Sequence, residues 1–513
     1  MTSPHLAHVP NELLSSIAKD LPNSDLKNLR LACRLLRDKV PLRVDRVFIS
    51  ANPLNIKVLR AIADHDQFRS TVTEIVWDDA RLVESLGFEW SIDIDHPDMN
   101  QPYPEWFGTV CRANVDDIKS RLARREDRDR PDLVALAKQL EAQMPIAESW
   151  TYYEELLRQQ DQVLQSGADI DALKYALARF PMLRRITITP AAHGFTFLPR
   201  YPTPMIRSLP YGFNYPIPRG WPTAADAEPD PEVTRWEDAS EEIKNQWRGF
   251  RIIMRILADE QTQHSISELI LNVHQINTGL NCYIFDKPCQ EYNDLVTLIS
   301  RPGFRRLDLS LLVGEFSGGN WPSLGRGYLR HALSQATGLE HFSLHTNGSR
   351  CVSGPDTYEG ITADDLIPLR SVFPIDSWPR LRHFGLSAFY VTQDDVISFL
   401  SVLPSGIRSV ELSFLLFLDA KSSYRDLLYD MRDKLGWRDR PEAERPKPII
   451  KVHRGLSSRA GKAIWVNDEA SDFLYGDRKQ LFGRDDGSAL NQIPRRTGGT
   501  EFDEFNPAHA KPN

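Results

Sequence analysis

Four six-residue stretches in the second half of the chain share one pattern and decide the fold: FRRLDL at 304–309, LEHFSL at 339–344, LRHFGL at 381–386 and IRSVEL at 407–412. Each stretch has apolar residues at its first, fourth and sixth positions, and we call this pattern the cassette. It also occurs earlier in the chain, at 44–49, 72–77, 183–188 and 266–271. Apolar residues two positions apart are typical of a strand that buries one face. The sequence therefore predicts eight short strands.

The segments between the later cassettes have the composition and spacing of helices. Helices are expected at 291–299, 328–335 and 394–402. Regular alternation of one strand and one helix predicts an α/β fold in which each unit buries its apolar face by stacking on the next. The cassette resembles a leucine-rich repeat, but an irregular one, because most spacings exceed the ~20–29 residues of regular repeats and no Asn or Cys ladder is kept. An ordinary parallel α/β sheet would show the same alternation.

Two long gaps between cassettes predict insertions, at about 79–182 and 190–265. Residues 116–180 are expected to be helical, with a mixed charge run at 121–130 (RLARREDRDR) that fits a solvated helix face. The second insertion holds seven prolines and seven aromatic residues at 195–222, which predict a packed loop. A helix is expected again at 234–260.

The N-terminal residues predict two or three short amphipathic helices. Pro10 begins the first helix, and Glu12 lies in the first turn of that helix. Both residues are favoured at these positions. Two apolar stripes follow, formed by Leu13, Leu14, Ile17 and Leu21 and then by Leu26, Leu29, Cys33 and Leu36. Helices this short cannot bury all of these side chains among themselves. Either the rest of the chain or a partner protein must cover the remaining apolar surface.

Within residues 6–46 the order Pro-x-Glu-Leu-Leu-x-x-Ile, then Leu, then Asp-Leu-x-x-Leu-x-x-x-Cys-Arg, then a basic residue, resembles the F-box family. Val9 stands where that family usually has leucine. The resemblance implies docking on a Skp-type adaptor, which links the chain to a cullin and to the ubiquitin-conjugating machinery. By position, it assigns adaptor binding to Pro10, Leu13, Leu14, Ile17, Leu21, Leu26, Leu29 and Leu36. The stretch 473–476 (FLYG) is similar to the closing segment of fungal F-box proteins.

Polar residues between the apolar positions of the later cassettes are expected on the opposite face of the sheet. This rule nominates one mixed-charge surface, made of Arg306, Asp308, Ser310, His341, Ser343, His383, Ser387, Ser409, Glu411 and Ser413. Alternating charges suit a peptide or a folded protein better than a polyanion. We therefore expect this surface to bind a protein substrate.

The composition and charge of the chain argue against a nucleic-acid-binding, membrane-spanning or secreted protein. A net charge of -8 and a pI near 6.0 give no overall attraction to nucleic acid or to an anionic membrane. No apolar run approaches the ~20 residues that a bilayer requires, and the first residues do not have the pattern of a secretion signal. Five scattered cysteines suit reduced thiols in the cytoplasm or nucleus.

The sequence has no motif of a nucleotide-binding loop, a serine hydrolase or a zinc protease. We therefore predict no catalytic, cofactor-binding or metal-binding residues. The leading hypothesis is an α/β protein with an N-terminal helical F-box (1–50), a divergent leucine-rich-repeat-like solenoid (51–455) and a largely flexible polar tail (456–513). Its function would be to recognise substrates for a ubiquitin ligase. The alternatives are an F-box scaffold outside ubiquitination and an enzyme with an unrecognised site in the insertions.

Overall fold

Every cassette carries a strand, and each of these eight strands begins at the third cassette residue. The structure is a computed structural model that describes residues 9–21, 23–85, 101–123, 131–223, 233–274, 276–313, 322–348, 366–418, 422–452, 462–477 and 500–503. Its strands are β1 Arg46–Ile49, β2 Glu74–Asp78, β3 Arg185–Thr189, β4 Glu268–Leu271, β5 Leu280–Asn281, β6 Arg306–Leu312, β7 His341–Thr346, β8 His383–Ser387, β9 Tyr390–Val391, β10 Ser409–Ser413, β11 Leu416–Phe417, β12 Lys447–Ile449, β13 Lys451–Val452, β14 Lys462–Trp465 and β15 Thr500–Asp503.

Helices occupy most of the segments between these strands. They are α1 Asn11–Asp20, α2 Asn23–Ala32, α3 Arg34–Lys39, α4 Pro53–Asp64, α5 Asp66–Arg69, α6 Glu105–Leu122, α7 Pro131–Glu141, α8 Ile146–Ser166, α9 Ala168–Leu177, α10 Pro204–Arg207, α11 Glu241–Lys244, α12 Arg248–Ala258, α13 Gln290–Ile299, α14 Pro322–Gly325, α15 Tyr328–Gln335, α16 Leu369–Val372, α17 Gln393–Ser401, α18 Tyr424–Lys434 and α19 Asn467–Tyr475. The prediction of a mixed α/β fold is confirmed. Within the described part of the chain, no helix has the length and apolar character needed to cross a membrane.

The central sheet follows chain order. Its strands lie in the sequence β1-β2-β3-β4-β6-β7-β8-β10-β12, every neighbouring pair is parallel, and β5 adds to the end of β6. Cassettes share one register, so that Leu307 lies beside Leu269 on one side and Phe342 on the other. Each unit is therefore displaced from the preceding one by a single strand.

One hydrogen-bond pattern repeats where the strands begin. The carbonyl of the second residue in a cassette accepts N–H bonds from the second and third residues of the next cassette. Ser267, for example, accepts from Arg305 N at 2.9 Å and from Arg306 N at 3.1 Å. The same pair of bonds occurs at all seven junctions from β1 to β10. These backbone bonds hold the same register at each junction.

The two faces of the sheet differ in chemistry. The apolar residues of the cassettes, such as Leu307, Phe342 and Phe384, are fully buried and pack against the helices in one continuous core. The core includes side chains of α4, α9, α12, α13, α15, α17 and α18. The residues between them, including Arg306 and Asp308, lie on the face that these helices leave open.

The insertions form a second, smaller core beside the first strands. Phe107 of α6 and Tyr153 of α8 pack there with Met205 of α10 and with Phe213 and Tyr215 of the proline-rich loop. The segment 195–222 is mostly loop, and only α10 interrupts it. The helix expected at 234–260 begins only at α11, and residues 234–240 form turns and a loop ahead of it. The charge run at 121–130 falls mainly at 124–130, outside the described residues.

The predicted boundary between the folded region and the tail, at residue 456, is wrong, because folded elements continue beyond it. Part of the segment expected to be a flexible tail from 456 onward forms β14 and α19, and Val466, Ala470 and Phe473 are buried in the main core. The apolar residues at 463–466 and 473–475 do not follow the cassette pattern, so this packing was not predicted. Residues 478–499 and 504–513 lie outside the described part.

Candidate functional site

The N-terminal helices enclose a small core of their own. Leu14, Leu26 and Leu36 are at most 4 % exposed and meet Ala18 and Val40 there. Leu21 and Leu29 pack against the edge of this core, which is separate from the core of the sheet. Five of the eight residues assigned to adaptor binding therefore hold the helices together.

The remaining assigned residues face outward. Leu13 is 57 % exposed, Ile17 is 43 % exposed, and Pro10 is exposed ahead of them. Sequence reasoning missed two more apolar side chains on these helices, Leu31 at 83 % and Leu35 at 42 %. Among the described residues, seven large apolar side chains are strongly exposed, and four of them lie in α1–α3. An apolar concentration of this kind is typical of a protein-binding surface.

A polar contact connects this helical unit to the first strand. The side-chain amide of Asn23 donates to Arg43 O at 2.6 Å and accepts from Arg43 N at 3.3 Å. The Arg43 guanidinium donates in turn to the carbonyls of Lys19 and Leu21. Asn23 is the first residue of α2, so these bonds join that helix to the chain that leads into β1.

The ten residues nominated on the open face lie side by side in three rows of the sheet. His341 stands between Arg306 and His383, Ser343 stands opposite Asp308, and His345 stands between Ser310 and Ser387. Ser409 continues the first row, Glu411 the second and Ser413 the third. The rows bring all ten residues onto one surface, here called the polar face.

Asp308 is the centre of the charged part of the polar face. Its carboxylate accepts from Arg306 Nη2 at 2.6 Å, and its Oδ1 lies 3.1 Å from His341 Nε2. Burial alone would raise the pKa of Asp308, but the contact with His341 and the charge of Arg306 outweigh burial and hold that pKa well below its usual range. Asp308 therefore stays ionised and orients both basic groups.

Two histidines stack on this face. The rings of His341 and His383 are 4.0 Å apart and nearly parallel, at 13°. His383 is buried and hydrogen-bonds Ser343 through Nε2 at 3.2 Å and Ser409 through Nδ1 at 2.7 Å. Burial, together with the positive charge that His341 can carry, lowers the pKa of His383 to about 3. His383 is therefore neutral at physiological pH.

The neutral state of His383 predicts a specific sensitivity to acid. A histidine whose pKa is lowered by folding stabilises the fold fully above its unfolded pKa, and this contribution is lost as the pH falls toward the folded pKa. Between pH 7 and about pH 5, the wild type should lose about 2 kcal/mol more unfolding free energy than His383→Gln. Urea titrations at the two pH values measure this difference. His331→Gln, at an exposed position, is the control and should titrate like the wild type.

A second ion pair lies at the other end of the polar face. Lys451 Nζ is 2.8 Å from Glu411 Oε1, and Ser413 donates to the same oxygen at 2.9 Å. Burial opposes ionisation of Glu411, but the charge of Lys451 dominates and lowers its pKa to about 2. Ser413 and Ser310 are themselves buried, and Ser310 donates to Leu271 O at 2.8 Å. Those two serines are placed to support the face rather than to touch a ligand.

The first row of the polar face continues beyond the nominated residues into the earlier strands. Arg46, Glu74, Arg185 and Glu268 occupy the row of Arg306, and successive members pair across the strands. Arg46 Nε lies 2.7 Å from Glu74, and Arg185 Nε lies 2.7 Å from Glu268. The rule that found the later residues would have found these as well, since their cassettes have the same spacing.

The described cysteines and the residues that could bind a metal ion are the next candidates for a second site. Within the described residues, no group of His, Cys, Asp and Glu side chains is arranged to hold a metal ion. Burial raises the pKa of the Cys282 thiol to about 12 and that of Cys289 to about 11, so both stay protonated. Cys351 lies outside the described residues.

The remaining hypothesis from the sequence was an enzyme with an unrecognised site in the insertions. A cluster of three buried polar side chains lies where the insertions meet β2. His193 Nε2 is 3.7 Å from Asp78 Oδ2, and its Nδ1 is 2.8 Å from the Tyr215 hydroxyl. All three side chains are buried. Burial raises the pKa of Asp78 to about 8 and lowers that of His193 to about 3, which disfavours both charged forms. The group connects the proline-rich loop to the end of β2.

No protein-family model matches this chain, and neither does any curated protein.

Proposed function

We propose that this protein is the substrate-recognition subunit of a Skp/cullin/F-box ubiquitin ligase. The observation that carries the proposal is the exposed apolar surface of α1–α3, in which Leu13, Ile17, Leu31 and Leu35 surround a small independent core. Burial of a large aliphatic side chain contributes about 1.5–3 kcal/mol. A partner that covers these four residues would gain most of its affinity from them.

The order of residues supports a Skp-type adaptor as that partner. Leu13 and Ile17 lie one turn apart on α1 and are exposed, whereas Leu14, Leu26 and Leu36, which also belong to the F-box pattern, are buried in the small core behind them. A helical cap for the sheet would instead place the exposed leucines against the main core. The separation of the two cores favours docking on another protein.

The central sheet supports a solenoid as the substrate-binding part. A doubly wound sheet reverses its strand order at the point where its ligand binds. Here strand order follows chain order from β1 to β12, the helices cover one face, and one hydrogen-bond pattern repeats at each junction. These are properties of stacked repeats, whose exposed sheet face is a common binding surface. We assign substrate binding to the polar face.

The proposed mechanism is proximity. One part of the chain holds the adaptor, and through it a cullin and the conjugating enzyme, while the other holds the substrate. Keeping two reactants together raises their effective concentration and accelerates transfer without a catalytic side chain. The site of action would be the cytoplasm or the nucleus, where such ligases work.

Affinity capture of the tagged full chain from fungal cells tests the proposal. We expect both the Skp-type adaptor and the cullin among the captured proteins. Capture of the adaptor without the cullin would replace the ligase with a scaffold outside ubiquitination. Absence of the adaptor would contradict the proposal as a whole.

A further inference from the structure

From β3 to β12, the edge of the sheet that is formed by the beginnings of the strands is strongly basic. The positions concerned are the second and third cassette residues from β3 to β10 and the first residue of β12. Seven basic residues stand at these positions against two acidic ones: Arg184, Arg185, Arg305, Arg306, Arg382, Arg408 and Lys447 against Glu268 and Glu340. The whole chain carries a net charge of -8. This basic edge therefore opposes the overall charge of the protein.

Backbone hydrogen bonds place the residues of the basic edge next to one another. Glu340 O accepts from Arg382 N at 2.7 Å, Arg382 O accepts from Arg408 N at 2.7 Å, and Arg408 O accepts from Lys447 N at 2.8 Å. Neighbouring parallel strands lie about 4.8 Å apart. The basic side chains consequently form a row across the sheet rather than a scattered set.

Several cations in this row are accessible, whereas the carboxylate of Glu268 is buried. Glu268 is buried beneath Arg184, Arg185 and Arg305, at 3.6, 2.7 and 3.3 Å respectively. Arg184 and Arg305 remain 45 % and 43 % exposed. Arg185 also lies 4.0 Å from Glu74, whereas Arg184 and Arg305 share the single carboxylate of Glu268 within the described residues, so positive charge is left over at the surface.

Further along the row, two arginines lack carboxylate partners within the described residues. Arg382 is exposed, and its side chain makes no hydrogen bond or ion pair there. Arg408 is exposed as well, and its guanidinium donates to the carbonyls of Ser405 and Ile407, which are neutral. Both guanidinium groups can bind a carboxylate, by donating N–H bonds to it, without breaking an existing ion pair.

We infer that the basic edge binds an acidic segment of the substrate protein, rich in Asp and Glu. The inference rests on the proposed function and specifies the chemistry of its substrate. Guanidinium groups bind carboxylates through paired, charge-assisted hydrogen bonds. Glu340 interrupts the row between Arg305 and Arg382. Its negative charge would repel the closely spaced phosphates of a nucleic acid, whereas the carboxylates of a peptide can be spaced to avoid it.

Fluorescence anisotropy with the purified full chain tests the inference without any ligase component. The probe is a labelled peptide of alternating glutamate and serine, compared with the same peptide carrying glutamine. We expect the glutamate peptide to bind and Arg305→Glu/Arg382→Glu/Arg408→Glu to weaken it at least about tenfold. Lys138→Glu/Lys174→Glu/Arg207→Glu changes the net charge equally at exposed positions elsewhere and should bind like the wild type.

Three results would overturn the inference. They are equal binding of the two peptides, equal weakening by the two triple variants, and tighter binding of a DNA duplex than of the glutamate peptide. Thermal unfolding of each variant shows that it is folded, and the milder Arg305→Gln/Arg382→Gln/Arg408→Gln should fall between wild type and charge reversal. Adaptor capture by the same variants is a separate readout, so this inference can fail while the proposed function stands.

Discussion

The double variant Leu13→Asp/Ile17→Asp is expected to lose the Skp-type adaptor while remaining folded. Both side chains are exposed, so surface substitution should change the free energy of unfolding by less than about 1 kcal/mol. In a complex, each new carboxylate would be buried in an apolar interface at a cost of several kcal/mol. We expect adaptor affinity to fall at least about a hundredfold, measured by titration calorimetry with purified adaptor.

The control for this variant uses exposed apolar residues from elsewhere in the chain. Val134 and Met182 are 42 % and 53 % exposed, close to Ile17 and Leu13. Val134→Asp/Met182→Asp should bind the adaptor as the wild type does. If both double variants bound equally well, α1 would not be the docking helix.

The largest effect on stability is expected at Asp79, just beyond β2. Its buried carboxylate accepts from Trp77 Nε1 at 3.2 Å, from Trp221 Nε1 at 2.8 Å and from Gly249 N at 2.9 Å. It therefore joins the sheet, the proline-rich loop and the beginning of α12. Asp79→Ala leaves these three buried donors without an acceptor, each at about 1–3 kcal/mol. We expect a loss of about 4 kcal/mol in urea unfolding at neutral pH.

Two further variants separate this effect from loss of charge. Burial raises the pKa of Asp79, although Arg81 and the indole donors oppose the rise. Asp79→Asn retains one acceptor oxygen and should lose less than Asp79→Ala. Glu154→Ala removes an exposed carboxylate from α8 and should be close to neutral. An Asp79→Ala variant as stable as Glu154→Ala would contradict the role assigned to this carboxylate.

The strands were predictable because their signal is local. Leu307 and Leu309 are separated by one polar residue, and the same alternation occurs in all eight cassettes. The helices at 291–299, 328–335 and 394–402 agree with α13, α15 and α17 to within one residue. Strand β12 was missed because it is three residues long and contains Pro448, which is tolerated at the edge of a sheet.

Long-range contacts were not predictable by the same route. Two of the three partners of Asp79 are 142 and 170 residues away, and no local pattern indicates that Trp221 or Gly249 will meet it. The ten residues of the polar face were nominated from alternation alone, yet burial of Ser310 and Ser413 depends on how neighbouring strands cover them. Likewise, the pattern did not separate Leu13, which is exposed, from Leu14, which is 1 % exposed.

The central claim is that α1–α3 dock on a Skp-type adaptor, and light scattering coupled to size-exclusion chromatography tests it most directly. Purified full-length chain and purified adaptor, mixed in equal amounts, should elute as one species whose mass is the sum of the two proteins. Leu13→Asp/Ile17→Asp should leave them in separate peaks. Separate elution of the wild-type chain and the adaptor would contradict the claim.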